Sequence, residues 1–318
     1  MQGWNLKNGD IIKENLSIED FFAIISSFVL SSKGKTTSYK YAFFKSIIDN
    51  IFNCNQLILK FEYLYETFGR IYWNIIVKYK LPQIRKTSRW QYSQVEIIIK
   101  EILEKYPFLQ NLDFDSLCDE YKKEYMKYVP YILEKYVIGA LYADLEGAIY
   151  GFDKKKKIMW FTKDSILFLK NNKVLLEKIN YYAWISWMEE IFDNNKIVAY
   201  NIASKIDEVT KRENLEKFKK SLLLLGENKC FYCEKNIKNI HVDHFIPWSF
   251  VKNDQLWNMV ISCSACNLKK NNKIPSEKYF KKIFNRNKEY FNNTYEKELM
   301  SMYNSAIHNG FLLWEKDD

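Results

Sequence analysis

The sequence predicts a mainly α-helical protein with a small metal-stabilised domain towards its C-terminal end. Residues 1–210 carry repeated apolar patterns with a helical period, several of them preceded by helix-capping residues. Two Cys-x-x-Cys pairs follow, Cys230/Cys233 and Cys263/Cys266. The excess positive charge of the chain is concentrated around these pairs, so the two regions differ in composition as well as in pattern.

Helices are expected in the first region wherever an apolar pattern follows a capping residue or lies between prolines. Ser17 with Asp20 and Ser93 with Glu96 have the spacing of a capping box. The predicted helices lie after Ser17, after Thr37 or Ser38, within 56–79, after Ser93 and near 116–127.

One β-hairpin is predicted in residues 150–161, where two aromatic runs flank Lys154–Lys157. We interpret these lysines as a solvated turn rather than a DNA-contacting loop. The tryptophans of this region, such as Trp73, Trp90 and Trp184, are interpreted as core residues rather than base-stacking surfaces. Residues 1–210 contain no motif that indicates a chemical reaction, so their predicted role is recognition, partner binding or regulation.

The sequence contains no window long enough to span a membrane, because the apolar run 21–30 is short and is interrupted by Ser26 and Ser27. A basic start and a small-residue cleavage site are also missing, so we expect a cytoplasmic protein. In that compartment cysteines are reduced thiols or metal ligands. The two unpaired cysteines, Cys54 and Cys118, are expected to be buried small hydrophobic residues.

The distribution of charge points to a partner that carries phosphate. The formal net charge of the chain is +9, and residues 211–292 alone hold 17 Lys or Arg against 8 Asp or Glu, again a net of +9. The positive and negative charges of the remaining residues therefore cancel. A local excess of this kind is expected for a nucleic-acid-binding region.

The two cysteine pairs predict a structural zinc site. Each Cys-x-x-Cys can place two thiolates on one metal, and two pairs complete the tetrahedral four-sulfur set typical of structural Zn²⁺. The 29 residues between Cys233 and Cys263 leave room for two strands and a long loop. Redox activity is the alternative for a single pair, but two pairs favour zinc. With four sulfur ligands the ion has no open position, so it is not expected to catalyse.

Further polar residues occur in a fixed order within this stretch, namely Asp243-His244-Phe245-Ile246-Pro247, Asn258 and Asn267 directly after Cys266. This order resembles the HNH endonuclease family over residues 226–275. The resemblance implies a ββα-metal finger, which consists of two strands, a loop between them and a helix. We therefore predict an HNH domain over 211–292 and a C-terminal helix over 293–318 that packs on the rest.

The resemblance also implies the role of each polar residue, and the chemistry independently favours these residue types. Hydrolysis of a phosphodiester requires an activated water and a cation that absorbs charge. His244 is the predicted general base, and Asp243 and Asn267 are predicted oxygen ligands of Mg²⁺ or Mn²⁺. Asn258 is expected to orient His244. A lone histidine would be interpreted as a core residue, but its place beside Asp243 between the cysteine pairs favours catalysis.

Five other residues are candidates for auxiliary contacts. His241 lies on the same strand face as Asp243, and Asn271 lies four residues after Asn267, so each is a candidate auxiliary ligand. Three lysines near the finger helix are predicted to contact phosphate, namely Lys269, Lys270 and Lys273.

The predicted function is that of a metal-dependent HNH endonuclease that cleaves nucleic acid, with double-stranded DNA as the favoured substrate. The resemblance suggests a bacterial restriction or phage-defence setting. One alternative is a non-catalytic, zinc-stabilised nucleic-acid-binding module. Another is a nuclease subunit that is silent until the helical domain assembles with a protein partner.

Overall fold

A computed structural model describes residues 6–30, 35–81, 83–87, 90–191, 215–237, 239–291 and 294–316. Contacts between residues divide the chain into two compact units, Met1–Lys211 and Arg212–Asp318. The boundary itself and the domain limits predicted at residues 211 and 292 lie outside the described residues. The predicted fold class is confirmed, since the chain is mainly helical with a few short strands.

The first unit consists mainly of helices. Its helices are α1 Ile18–Leu30, α2 Tyr39–Asn50, α3 Phe61–Trp73, α4 Gln94–Lys105, α5 Asp119–Met126, α6 Val129–Ile132, α7 Ile138–Asp144, α8 Lys163–Asn171 and α9 Lys173–Ile191. Two π-helical turns, Asn74–Lys78 and Leu133–Val137, extend α3 and connect α6 to α7.

Helix α2 lies at the centre of this unit, and every one of its residues except Lys40 is buried. Such a helix must be covered on all sides, because apolar residues run around its whole circumference. Trp184 on α9 is buried and donates its indole N–H to Gln83 Oε1 at 3.1 Å. Trp73 is also buried, so the interpretation of these two residues as core is confirmed. It was wrong for Trp90, which is 46% exposed.

Two of the predicted helix caps have the expected geometry. The Asp20 N–H donates to Ser17 Oγ at 3.1 Å, and the Ser17 N–H donates to the Asp20 carboxylate at 3.0 Å. Ser93 and Glu96 form the same reciprocal pair before α4. Ser38 directly precedes α2, but its side chain makes no capping hydrogen bond, because its hydroxyl pairs with Tyr72 and Gln83 in the core.

The predicted hairpin is confirmed as β3 Gly151–Asp153 and β4 Ile158–Trp160. Two outer strands that the sequence did not predict, β1 Asn8–Gly9 and β2 Ile58–Lys60, complete a sheet of order β1-β3-β4-β2. The helix predicted across 56–79 was therefore wrong in its first residues. Leu59 pairs with Met159 and both are buried, so pairing with a distant strand outweighs the local helical pattern.

The second unit contains the cysteine pairs and a pair of antiparallel strands. Its elements are α10 Glu216–Leu224, β5 His241–His244, α11 Trp248–Val251, β6 Met259–Ser262, α12 Ser264–Lys270, β7 Ile274–Pro275, α13 Glu277–Tyr290, α14 Thr294–His308 and β8 Leu313–Trp314. Strand β5 pairs with β6 in a register that sets His244 opposite Met259. Strands β5 and β6 with α12 form the ββα arrangement implied by the resemblance.

Two sets of contacts hold this unit together. Leu222 of α10 packs on Met259 and Ile261 of β6 in one buried cluster. Strand β7 pairs in parallel with β8, and the Tyr303 hydroxyl of α14 donates to the Pro275 carbonyl at 2.8 Å. The last helix and strand are thereby attached directly to the segment that follows α12.

Among the described residues, no helix combines the length and the apolar character that crossing a membrane requires. Cys54 is half-buried and Cys118 is exposed, so the expectation that both are buried was wrong.

Candidate active site

The four paired cysteines converge on one point. Their sulfur atoms all lie within 4.8 Å of one another, and the Cys233 and Cys263 sulfurs are 3.9 Å apart. Four ligands at the ~2.3 Å Zn–S distance of a tetrahedral site lie ~3.8 Å from each other. The cysteines are therefore positioned to hold one metal ion of this size.

Each pair is built into a turn that presents its sulfurs. The first pair lies in a turn that is closed by a hydrogen bond from the Cys230 N–H to the Lys235 carbonyl at 3.0 Å. The Phe231 N–H donates to the Ile261 carbonyl at 2.8 Å and so connects this turn to β6. In the second pair Cys263 is the N-cap of α12, and its sulfur accepts the Cys266 N–H at 3.5 Å. The N–H of Cys263 donates in turn to the Cys230 sulfur at 3.4 Å, which joins the two turns.

The pKa values of three of these thiols depart from the ordinary thiol value. Burial raises the pKa of Cys230 and of Cys266 above the usual thiol value. Burial also opposes ionisation of Cys263, but hydrogen bonds from Cys266 and from the neighbouring thiols outweigh it and lower the pKa of Cys263 to about 7. A divalent cation among the four sulfurs would favour the thiolate form of all of them.

Asn258 holds the chain directly after β5. Its side-chain oxygen accepts the Ile246 N–H at 2.9 Å, and its side-chain amide donates to the Ile246 carbonyl at 3.1 Å. Its backbone carbonyl accepts the Phe245 N–H at 2.8 Å. The side chain is fully buried, so these bonds lie in a dry environment where leaving one unmade is costly. Asn258 thus acts on the backbone next to His244 and not on its ring.

The ring of His244 is anchored by a residue that the sequence did not single out. His244 Nε2 lies 2.6 Å from Asp254 Oδ1, and only 1% of the His244 side chain is exposed. Asp254 stands in the loop between α11 and the turn Leu256–Asn258. A histidine and a carboxylate separated by ten residues have no local signature, so only the fold brings them together.

Asp243 is paired with a tyrosine and a lysine. Its Oδ2 accepts the Tyr232 hydroxyl at 2.8 Å and lies 3.0 Å from Lys270 Nζ. Burial, with the nearby Asp243 carboxylate, raises the pKa of Tyr232 well above its usual value, so this hydroxyl stays protonated and donates. The Tyr232 ring is held in turn against Trp314 of β8, at 5.1 Å between centroids.

Lys270 does not occupy the place that the sequence predicted. Its side chain is buried, and besides Asp243 it contacts the His244 carbonyl at 2.8 Å. A buried amine with these partners cannot contact phosphate, so that expectation was wrong for Lys270. The last turn of α12 faces the β5 strand at this residue, whereas Lys269 is exposed and Lys273 is half-buried.

The two predicted ligands of a catalytic cation lie on different elements of the finger, Asp243 on β5 and Asn267 on α12. Asp243 and Asn267 offer the carboxylate and amide oxygens that suit Mg²⁺, and Asn267 is half-buried on α12, directly after Cys266. The Asp243 carboxylate pairs with the Lys270 ammonium through Oδ2. By its chemistry the donor pair, a carboxylate and an amide, fits a hard cation that retains most of its water ligands.

The two candidate auxiliary ligands, His241 and Asn271, lie at the start of β5 and directly after α12. His241 is exposed at the start of β5, opposite Ser262. Asn271 was considered on the condition that it shares a helix face with Asn267, but α12 ends at Lys270. Asn271 has a φ of 47° and an exposed side chain, because it turns the chain out of the helix. The helical argument for Asn271 was therefore wrong.

A second residue that sequence reasoning missed is Arg286 of α13. Its guanidinium donates to the Met259 carbonyl at 2.7 Å and to the Trp257 carbonyl at 3.1 Å, on either side of Asn258. It also pairs with Glu227 at 2.7 Å. The planar fork of arginine suits several acceptors at once, so Arg286 connects α13 to the turn that carries Asn258.

Two antiparallel strands and a helix, with four cysteines positioned to bind a metal ion, have the ββα arrangement of a metal-finger nuclease domain. Residues 230–276 match the family described as HNH endonuclease, so this segment is an HNH endonuclease domain and the resemblance is confirmed. No curated protein and no solved structure matches the chain.

Proposed function

We propose that this protein is a metal-dependent endonuclease that hydrolyses phosphodiester bonds of double-stranded DNA. The observation that carries the proposal is the placement of His244 beside Asp243 at the end of β5, within the segment that matches the HNH endonuclease family. Imidazole is the side chain most often used to take a proton from an attacking water.

In this proposal each side chain of the site has one role. His244 removes the proton of the attacking water, and Asn258 keeps the backbone after it in place. Asp243 and Asn267 would hold Mg²⁺ or Mn²⁺, which when bound supplies positive charge to the phosphate and the leaving oxygen. Lys270 balances the charge of Asp243 and donates to the His244 carbonyl. These two contacts favour a fixed separation between the base His244 and the metal ligand Asp243.

The four cysteines are proposed to bind Zn²⁺ as a structural ion. The antiparallel pair β5–β6 has only four residues in each strand, and a unit of this size has little core of its own. A four-sulfur zinc site stabilises such folds directly, because metal binding and folding are coupled. This ion has no open ligand position and takes no part in the hydrolysis.

DNA is favoured as substrate by the charge around the finger. The net charge of +9 over residues 211–292 supplies long-range attraction to phosphate. Exposed Lys269 and half-buried Lys273 flank the end of α12, and we assign them to backbone contacts.

The biological setting belongs to the same proposal. A helical unit without chemical motifs accompanies the nuclease unit, which is compatible with target recognition, partner binding or control of activity. We place the protein in bacterial restriction or phage defence. The test is phage challenge of bacteria that express the intact chain or His244→Ala, where only the intact chain is expected to lower phage yield.

The activity is tested by incubating the purified protein with supercoiled DNA, linear duplex, single-stranded DNA and RNA. We expect cleavage of duplex DNA with Mg²⁺ or Mn²⁺ and no cleavage with EDTA. DNA binding without cleavage under every metal condition would favour the non-catalytic module. Cleavage that appears only when the genes encoded beside this one are co-expressed would favour the subunit that requires a protein partner.

A further inference from the structure

The contact between His244 and Asp254 specifies where the proton of the imidazole lies. An ionised carboxylate has acceptors only, so at 2.6 Å the Nε2 nitrogen must carry the hydrogen and donate it. A neutral imidazole has one N–H and one acceptor nitrogen. With Nε2 protonated, the basic lone pair of a neutral His244 is on Nδ1.

We propose that Asp254 is the positioning residue of the nuclease site, which holds His244 in the Nε2–H tautomer so that Nδ1 receives the proton of the attacking water. The proposal rests on the proposed nuclease function. In this step water loses a proton to Nδ1 as its oxygen bonds to phosphorus, the bond between phosphorus and the leaving oxygen breaks, and that oxygen departs as an alkoxide that takes a proton from solvent water. The imidazolium that results has its positive charge next to the Asp254 carboxylate, which stabilises it.

The fold gives Asp254 the rigidity that this role requires. The loop that carries Asp254 returns to β6 through Asn258, whose N–H closes a turn onto Gln255 at 2.9 Å. Asn258 in turn clamps Ile246, two residues after His244. Backbone and ring of His244 are thereby tied to the same short loop, at two points. The Asp254 side chain is only 13% exposed, so water competes weakly for its contact with Nε2.

The alternative is that the pair only stabilises the fold. A structural pair would affect stability without changing the rate of the folded enzyme. A positioning pair lowers kcat in protein that remains folded, because the base then occupies the wrong tautomer or orientation for part of the time. Binding of DNA depends on phosphate contacts and is expected to stay the same.

The kinetic test compares Asp254→Ala, Asp254→Glu and the matched control Glu277→Ala, which removes an exposed carboxylate that pairs with Lys281 on the same unit. We expect Asp254→Ala to lower kcat by about 10–100-fold with unchanged KM and DNA affinity. Asp254→Glu, which keeps the carboxylate, is expected to recover part of that loss, and Glu277→Ala to behave as wild type. An unchanged kcat in Asp254→Ala while wild type cleaves DNA would overturn the proposal.

The tautomer can be measured without any activity. The chain has three histidines, so ¹⁵N-labelled histidine gives few signals, and His244→Ala identifies those of His244. In metal-free protein, at a pH where His244 is neutral, we expect a single Nε2–H tautomer in wild type and a mixture of both tautomers in Asp254→Ala. A proton on Nδ1, or on both nitrogens, would contradict the proposal. If the Nε2–H tautomer is found but no nucleic acid is cleaved, the nuclease function fails and the geometry stands.

Discussion

Lys270 Nζ lies 3.0 Å from Asp243 Oδ2 in the interior of the HNH domain, and both side chains are buried. The pair joins the end of α12 to β5, so the helix and the strand of the finger are connected by opposite charges. Breaking a buried pair by removing one partner leaves an uncompensated charge, which is more damaging than the loss of an exposed contact.

Replacing Lys270 with methionine is therefore expected to destabilise the HNH domain by about 3–5 kcal/mol. Hydrogen exchange of the β5 and β6 amides measures the free energy of opening within the intact chain. The matched control is Lys269→Met, which changes an exposed neighbour and is expected to alter that free energy by less than about 0.5 kcal/mol. Equal protection in the two variants would contradict the structural role of Lys270.

Lys269 and Lys273 are expected to act on DNA binding instead. The double variant Lys269→Ala/Lys273→Ala should bind duplex DNA more weakly. Its plot of log affinity against log salt should have a slope less negative by about 2, since each phosphate contact contributes about 0.9. Fluorescence anisotropy titrations at several salt concentrations measure the slope. Lys100→Ala, an exposed lysine of the first unit, is the control. If both variants keep the wild-type slope, these lysines do not contact phosphate.

The four-cysteine site is expected to contain zinc in the purified protein. Cys266→Ser should lose that zinc and the protection of β5 and β6 from hydrogen exchange, because the small finger depends on the metal for its fold. Cys118→Ser, which alters an exposed cysteine outside the site, should keep both. Elemental analysis measures the metal, and wild-type protein without zinc would refute the site.

A further stability prediction concerns the first unit. Lys45 Nζ is fully buried and lies 2.8 Å from Asp49 Oδ2 and 3.2 Å from Glu177 Oε1. Burial alone would lower the pKa of Lys45, but Asp49, Tyr181 and Glu177 outweigh it and raise that pKa well above its usual value. Lys45→Met removes the cation that pairs with both carboxylates, although Asp49 keeps Lys173 Nζ at 3.8 Å.

We expect Lys45→Met to destabilise α2 and its neighbours by about 3–5 kcal/mol, again measured by hydrogen exchange in the intact chain. Lys100→Met removes a lysine whose i,i+4 partner Glu104 is also exposed, and it serves as the control because exposed pairs contribute about 0–1 kcal/mol. A loss no larger than that of the control would show that the buried network does not hold α2.

Features with a local cause were predictable from the sequence. The capping boxes at Ser17 and Ser93 and the lysine turn after Asp153 depend on residues a few positions apart. The cysteine pairs were predictable as well, because metal coordination restricts spacing so strongly that two pairs define a site. The polar residues between them were identified through a family pattern, not through physical necessity.

Features that depend on distant contacts could not be predicted. Strand β2 forms because β4 offers an edge one hundred residues later in the chain, and no residue near Leu59 in the sequence indicates this pairing. Asp254 and Arg286 are common charged residues whose importance comes from the atoms that the fold places beside them. Lys270 was misassigned for a related reason, since a lysine on a short helix is usually exposed and only the packing of α12 on β5 buries it.

His244 is the proposed base of the hydrolytic reaction, and the nuclease assignment depends on this residue. The most direct measurement is the single-turnover rate of duplex cleavage by wild type and His244→Ala, with the binding of the same duplex titrated in parallel. Unchanged zinc content and hydrogen exchange verify that the variant is folded. We expect the rate to fall by about 10²–10⁴-fold, the usual contribution of a positioned general base, while DNA affinity stays the same. A His244→Ala protein that cleaves DNA as fast as wild type would contradict the account.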